Sequence, residues 1–320
     1  MEVARVDLAP YRASGSGVDY LHTIDAGVAG PHLMVNALTH GNEWCGMHVV
    51  KRLLDTGFRP RVGRLTLSFA NVVAYDALDA NGMSARFVER DFNRLWHDEL
   101  LAADTQSVEG RRAHQLLPTV RTVDRLLDLH STWHALQPFF VLSQLPRVRA
   151  LADHLAMPPR QLFLPDVWHE GYHLIDYGAF RQPAAAAVGL IAECGQHFAH
   201  SSVDTAWRST VRFLDVHGLL DAGQAQALCP EPAPAPAGEV ERYEIAIPVI
   251  ARTDTLRLTC SYAGFVSFAA GEVAAMDGDE PLLAPFDGAV LLAPRPAPKA
   301  GQQAFSWGRR VPGDAFAQGV

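Results

Sequence analysis

The chain has 320 residues, of which 48% are hydrophobic, and its mean hydropathy is close to zero. This length and apolar content suffice for at least one large core and allow two domains. The formal net charge of -8 is not offset by a basic stripe, which argues against a nucleic acid partner.

The sequence also argues against a membrane or secreted protein. No window approaches the roughly 20 apolar residues that span a bilayer, and the first residues lack the apolar stretch of a secretion signal. The cysteines are scattered without C-x-x-C spacing and are Cys45, Cys194, Cys229 and Cys260. Such spacing argues against a disulfide framework and a thiolate zinc site, and it fits a reducing compartment. We therefore expect a cytoplasmic protein.

Apolar runs alternate with helical patterns in the first 228 residues. The runs that predict buried strands are Leu33–Leu38, Leu65–Val73, Leu126–Leu129 and Val188–Ala192. The segments that predict helices are Glu43–Asp55, Glu109–Arg125 and Ser201–His217. This alternation is typical of an α/β fold, in which helices cover both faces of a sheet.

The composition changes at residues 229–238, where four prolines alternate with small residues and favour an extended linker. Beyond it, short alternating runs are separated by Asp277-Gly278 and Asp287-Gly288, which are strong turn signals. We therefore predict a first domain of residues 1–228, a linker of residues 229–238 and a β-rich C-terminal domain of residues 239–320. The last is expected to cover a functional site or to mediate assembly of a homo-oligomer.

Three of the predicted strands end on side chains that bind metal ions. The first strand runs into an H-x-x-E pair formed by His40 and Glu43, the third ends on His130, and the fourth ends on Glu193. Ligands of open α/β sheets gather outside the carboxyl ends of the strands, so we expect these side chains at one site. Imidazole nitrogens and carboxylate oxygens are good Zn²⁺ ligands. The pattern thus predicts a catalytic metal site.

Five short motifs follow one another along the first domain. They are His40-Gly-Asn-Glu43, Arg86-Phe-Val-Glu-Arg-Asp91-Phe-Asn93-Arg94, Asp128-Leu-His130, Tyr177-Gly-Ala-Phe-Arg181 and Ala192-Glu193. Their order and gaps resemble the succinylglutamate desuccinylase/aspartoacylase family, relatives of the zinc carboxypeptidases. The resemblance implies a zinc-carboxypeptidase-like mixed sheet with helices on both faces and a small β-rich C-terminal domain. It also implies a zinc-dependent hydrolase that acts on a linear amide.

The resemblance assigns roles to individual residues of this chain. His40, Glu43 and His130 would hold one Zn²⁺ and leave a fourth position for water. Glu193 would take a proton from that water and deliver it to the leaving amine. Arg86 would stabilise the oxyanion of the tetrahedral intermediate. The implied reaction is removal of an acyl group from an N-acyl amino acid or a related acyl amine.

Further residues are implied to bind the substrate. Asn93 and Arg94 would bind a substrate carboxylate, since a guanidinium group bonds a carboxylate in bidentate fashion. Tyr177 and Arg181 would supply a second contact to an anion. Aspartoacylase-like members carry a substrate-contacting tyrosine in the C-terminal domain, but the nearest stretch here, residues 302–307, has no hydroxyl-bearing ring. The acyl group is therefore not specified.

Three alternatives stay open. The same parts suit a metallocarboxypeptidase acting on short peptides, because that reaction also hydrolyses an amide beside a carboxylate. A second motif, His169-Glu170-x-x-His173, is typical of zinc proteases that place both histidines on one helix. Prolines before this motif and Gly171 within it disfavour a helix, so we interpret it as a loop. The third alternative is a non-catalytic carboxylate-binding protein, against which the complete ligand set and Glu193 count.

Overall fold

The computed structural model describes residues 2–77, 86–165, 171–230 and 239–312. The strands are β1 Leu21–Asp25, β2 His32–Ala37, β3 Arg64–Phe69, β4 Arg125–Thr132, β5 Phe139–Leu142, β6 Arg160–Phe163, β7 Val188–Gln196, β8 Glu241–Ile250, β9 Arg257–Leu258, β10 Val266–Phe268, β11 Val273–Asp277, β12 Glu280–Leu283, β13 Ala289–Leu292 and β14 Gln303–Arg310. The helices are α1 Cys45–Asp55, α2 Val72–Asp76, α3 Asp98–Ala103, α4 Val108–Val120, α5 Pro146–Leu155, α6 His200–Val216 and α7 Ala222–Leu228.

Within the described ranges, eleven strands form one mixed sheet in the order β1-β3-β2-β4-β7-β5-β6-β8-β14-β13-β10. The strands β3, β2, β4 and β7 at its centre are parallel, whereas β1 and β5 run antiparallel to their neighbours β3 and β7. Parallel strands covered on both faces are mostly apolar, which explains the apolar runs in the sequence. The predicted mixed α/β sheet is confirmed.

Helices cover both faces of this sheet, and β2 shows how. Leu33 and Val35 belong to a core that includes residues of α1, α5 and α6, whereas Met34 between them belongs to a second core that includes residues of α4. Successive side chains of a strand point to opposite faces, so one apolar strand serves both cores.

Two predicted elements end several residues earlier than expected. The strand expected over Leu65–Val73 ends at Phe69, because the Asn71 side chain accepts a hydrogen bond from Ala74 N and caps α2. The helix expected to reach Arg125 ends at Val120, and the following turn leads into β4.

The region after residue 239 is β-rich, as predicted. Its strand β8 pairs in parallel with β6, so the backbone of this region continues the large sheet, while β12, β11 and β9 form a separate small sheet. The division into domains at residues 229–238 stays a prediction, and residues 231–238 lie outside the described residues. None of the described helices combines the length and apolar character needed to cross a bilayer.

Candidate active site

The predicted metal ligands meet at the carboxyl edge of the large sheet. His130 near the end of β4 is in register with Glu193 near the end of β7, and His40 and Glu43 lie between β2 and α1. The turn that carries His40 packs tightly on α2. A Cβ atom added at Gly41 would lie only 2.4 Å from the carbonyl carbon of Ala74. Only glycine fits this close approach.

Three buried side chains form the centre of the site. His40 Nδ1 is 2.9 Å from Glu43 Oε1, and His130 Nδ1 is 2.8 Å from Glu43 Oε2. Their ligand atoms all lie within 4.8 Å of one another, and each residue is at most 2% exposed. The structure therefore brings together the three residues that the sequence predicted as metal ligands.

The remaining ring nitrogens face two further carboxylates. His40 Nε2 is 3.0 Å from Asp91 Oδ1, and His130 Nε2 is 2.9 Å from Asp128 Oδ2. If each Nε2–H donates to its carboxylate, both Nδ1 lone pairs face Glu43, and acceptors so placed need a proton or a cation between them. Histidine ligands of zinc commonly donate their other N–H to a carboxylate in this way. The donor set thus fits Zn²⁺.

The electrostatics of this cluster also favour a cation. Burial by itself lowers the pKa of His130, but the carboxylates of Asp128 and Glu43 outweigh it and hold that pKa well above its ordinary value. Burial by itself raises the pKa of Glu43, but His40 and His130 hold it well below its ordinary range. The carboxylates therefore stay ionised, and positive charge is stabilised among them.

Glu193 differs from the other carboxylates of the site. Its Oε2 atom is buried without a hydrogen-bond partner among the described residues. Burial and the nearby carboxylate of Glu43 raise the pKa of Glu193 to about 8, against the opposing effect of His130 and Arg86. A carboxyl group with one unbonded oxygen and a raised pKa can hold a proton and exchange it.

Arg86 contacts two carboxylates of the site. Its Nη1 donates to Glu43 Oε1 at 3.0 Å and its Nε donates to Asp91 Oδ2 at 3.2 Å. Asn93 is buried and accepts a hydrogen bond from Leu174 N through Oδ1, while Arg94 Nη1 donates to the backbone oxygen of Asn93. Binding of a substrate by these three residues stays a prediction.

Tyr177 and Arg181 lie in the segment that precedes β7. The Tyr177 hydroxyl donates to Asp98 Oδ1 at 2.6 Å and accepts from Arg121 Nη2 at 2.9 Å. The Arg181 guanidinium lies over the Tyr172 ring, 4.9 Å from its centroid. A contact from either residue to a substrate anion stays a prediction.

Part of the competing His169-Glu170-x-x-His173 motif is described. His169 and Glu170 lie outside the described residues, and Gly171–His173 are not helical. His173 is buried, and its Nδ1 is 3.2 Å from Asp176 Oδ2.

The chain matches the model of the succinylglutamate desuccinylase/aspartoacylase catalytic domain over residues 29–196, more than half of its length. It belongs to this family. The succinylglutamate desuccinylase of Vibrio cholerae serotype O1 is 24% identical over 287 residues, which cover 85% of this chain and 79% of that protein.

Solved structures of other proteins share the fold. The crystal structure of a succinylglutamate desuccinylase from Vibrio cholerae has a TM-score of 0.68 at 22% identity, and covers 92% of this chain and 86% of that chain. The product-bound ectoine utilization protein of Ruegeria pomeroyi has a TM-score of 0.64 at 16% identity, over 90% of this chain and 88% of that chain.

His197 is a buried residue near the metal ligands that was not predicted from the sequence. Its Nδ1 is 2.8 Å from Ser131 Oγ, and Ser131 N donates to Glu43 Oε2 at 3.3 Å. Burial lowers the pKa of His197 to about 4, so the ring is neutral. The exposed Trp133 ring lies edge-on to it, 6.1 Å away. The position of His197 four residues after Glu193, just past the end of the same strand, is the signal that could have found it.

Proposed function

We propose that this chain is a zinc-dependent amidohydrolase that removes an acyl group from an N-acyl amino acid or a related acyl amine. Membership of a deacylase family supports the reaction type. The observation that carries the proposal is the arrangement of Glu43 between the Nδ1 atoms of His40 and His130, beside the unbonded carboxyl oxygen of Glu193.

The proposed reaction needs a metal ion that activates water and a residue that transfers protons. His40, Glu43 and His130 would hold the zinc ion, which would supply activation of water and polarisation of the acyl carbonyl. Glu193 accepts the proton of the attacking water and then delivers it to the leaving amine. Burial and the carboxylate of Glu43 raise the pKa of Glu193 to about 8, so the group can both accept and release a proton near neutral pH.

Arginine and amide side chains stabilise the negative charges of the substrate and orient it. Arg86 lies at the ligand carboxylate Glu43, where its guanidinium can donate to the oxyanion that develops on the acyl oxygen. Asn93 and Arg94 bind the carboxylate of the amino acid, with Tyr177 and Arg181 as a second anion contact. Fixing that carboxylate orients the amide carbon for attack.

A substrate panel tests this function against a metallocarboxypeptidase. Zinc content of the purified protein is measured first, and hydrolysis is then followed for N-acetyl, N-succinyl and N-formyl amino acids and for short peptides. We expect stoichiometric zinc and cleavage of at least one N-acyl amino acid. Cleavage of peptides alone identifies a carboxypeptidase, and zinc binding without any hydrolysis identifies a carboxylate-binding protein.

A pair of variants tests the site itself. Glu193→Gln should retain the fold and the zinc and lose turnover by about 10²–10⁴-fold, because the amide cannot accept the proton. Glu170→Gln should behave as the wild type. The reverse pattern, with zinc lost from Glu193→Gln and activity lost from Glu170→Gln, would place the metal at the His169/His173 motif.

A further inference from the structure

Glu109 is a buried carboxylate that the proposed reaction does not use. It lies in the first turn of α4 and is 0% exposed. Its Oε1 accepts hydrogen bonds from Val88 N at 2.7 Å and Asn71 Nδ2 at 3.1 Å. Its Oε2 accepts from Glu89 N and Arg90 N, both at 3.1 Å. Four donors thus converge on one side chain.

The three backbone donors belong to residues 86–94, which we call the anchor segment. It carries Arg86, Asp91, Asn93 and Arg94, and only Phe92–Arg94 forms a regular turn. The side chains at its centre are exposed, so apolar packing does not fix this part of the backbone. Hydrogen bonds must therefore hold this part of the backbone, and three of its successive N–H groups donate to Glu109.

Side chains of the anchor segment also form hydrogen bonds with residues at and just before the start of α4. The Glu89 carboxylate accepts a hydrogen bond from Val108 N, and Arg90 Nη1 donates to Asp104 Oδ2 at 3.1 Å. The first of these hydrogen bonds is exposed, and the Arg90 side chain of the second is 48% exposed, so we expect each to contribute little.

Glu109 also joins the anchor segment to the turn that carries the metal ligands. Asn71, which donates to Glu109, caps α2, and α2 is the helix on which Gly41 packs. Gly41 N in turn donates to Arg86 O at 3.0 Å. The Glu109 carboxylate is thus connected by hydrogen bonds and packing to both the anchor segment and the turn that carries His40 and Glu43.

We propose that Glu109 is a positioning residue, whose carboxylate holds the anchor segment in place against the metal ligands. The inference rests on the proposed function. Misplacement of binding groups by about 1 Å costs roughly 10²-fold in rate, so an organiser of this kind affects both substrate binding and turnover.

Replacement of Glu109 by glutamine changes the hydrogen bonding but not the packing, because the two side chains have nearly the same shape. A carboxylate offers acceptors at both oxygens, whereas the amide directs an NH₂ group at two of the four donors. Glu99→Gln is the matched control, since Glu99 is an exposed glutamate in the first turn of α3.

The first test is amide hydrogen exchange measured by NMR. In the wild type, we expect slow exchange at Val88, Glu89 and Arg90 in spite of their exposed side chains. In Glu109→Gln these amides should exchange at least about tenfold faster, while Glu99→Gln matches the wild type. Fast exchange of all three amides in the wild type would overturn the proposal, even if Glu109→Gln does not fold.

The second test is kinetic and uses zinc-loaded, folded protein well below its melting temperature. We expect kcat/KM of Glu109→Gln to fall by about 10–100-fold, with KM raised and kcat lowered. A purely structural role would leave both constants unchanged per folded molecule and would refute the inference. If the wild type hydrolyses no member of the panel, the proposed function fails and the exchange comparison still decides the role of Glu109.

Discussion

Histidines are buried at both ends of the central parallel strands, which we call the amino edge and the carboxyl edge of the sheet. Their surroundings are opposite in charge. At the amino edge, His32 Nε2 is 2.8 Å from Thr66 Oγ1 and Nδ1 is 3.1 Å from Thr122 O, and burial lowers the pKa of this ring. At the carboxyl edge, His130 lies between Asp128 and Glu43, and its pKa is held well above the ordinary value. Neutral partners make a structural histidine, whereas carboxylates on both sides make a cation site.

The edges also differ in how completely their polar groups are bonded. At the amino edge, Thr66 Oγ1 bonds both His32 and Thr23, and His32 N donates to Asp124 Oδ2. At the carboxyl edge, the buried atoms Glu193 Oε2 and Asn42 Oδ1 have no hydrogen-bond partner among the described residues. Unbonded buried polar atoms are rare in proteins and are tolerated where function needs them.

We expect the largest effect from replacing His130, the histidine at the carboxyl edge. His130→Ala should abolish zinc retention and reduce hydrolysis by about 10³-fold or more, because zinc supplies several kcal/mol of transition-state stabilisation. Metal analysis and kinetics measure both. His32→Gln at the opposite edge is the control and should keep its zinc and its rate. A His130→Ala protein with stoichiometric zinc would remove this residue from the ligand set.

The arginines of the carboxyl edge should separate kinetically. Arg86→Ala should lower kcat by about 10²–10³-fold, since the proposed role of its guanidinium is to donate to the oxyanion. Arg94→Ala should instead raise KM by about 10–100-fold, since it removes a charged hydrogen bond present in both the ground and transition states. Steady-state kinetics on the best substrate of the panel measure both constants, and identical profiles would contradict the assigned roles.

The third prediction concerns pH and the metal-free protein. The pKa of Glu193 is about 8 in the fold and has the ordinary value of 4.5 in the unfolded chain. Between these values the unfolded chain releases a proton that the fold retains, so this residue reduces stability as pH rises through the interval.

Glu193→Gln removes that effect. We expect it to raise the melting temperature of the metal-free protein by a few degrees at pH 8 and by nothing near pH 4.5. Differential scanning calorimetry across this range measures the difference. An increment independent of pH would show that packing, not ionisation, is responsible.

The smallest effect lies at the amino edge. Thr66→Val keeps the shape but leaves His32 Nε2 and the Thr23 hydroxyl without their partner, which should cost about 1–3 kcal/mol of unfolding free energy. Urea denaturation measures this loss. Unchanged kcat and KM are expected, and a change in either would show that this edge communicates with the site.

The main strands and the ligand set could be predicted because they depend on local pattern and one topological rule. Apolar runs ending in His130 and Glu193 reach the same edge of any parallel sheet. Glu109 could not be assigned a role, since its hydrogen-bond partners are distant in the chain. For His197 the only signal was its position just past the strand that carries Glu193. The pairing of β6 with β8 was equally hidden, because composition marks a boundary at the linker and says nothing about which strand lies across it.

The pairing of β6 with β8 has a practical consequence. Residues 160–163 meet residues 241–244 in register, and Leu162 and Phe163 are almost fully buried. A chain truncated at the linker would present β6 as a bare apolar edge, which is a template for association with other chains. Insoluble expression of such a fragment would therefore reflect an uncovered strand rather than a damaged metal site.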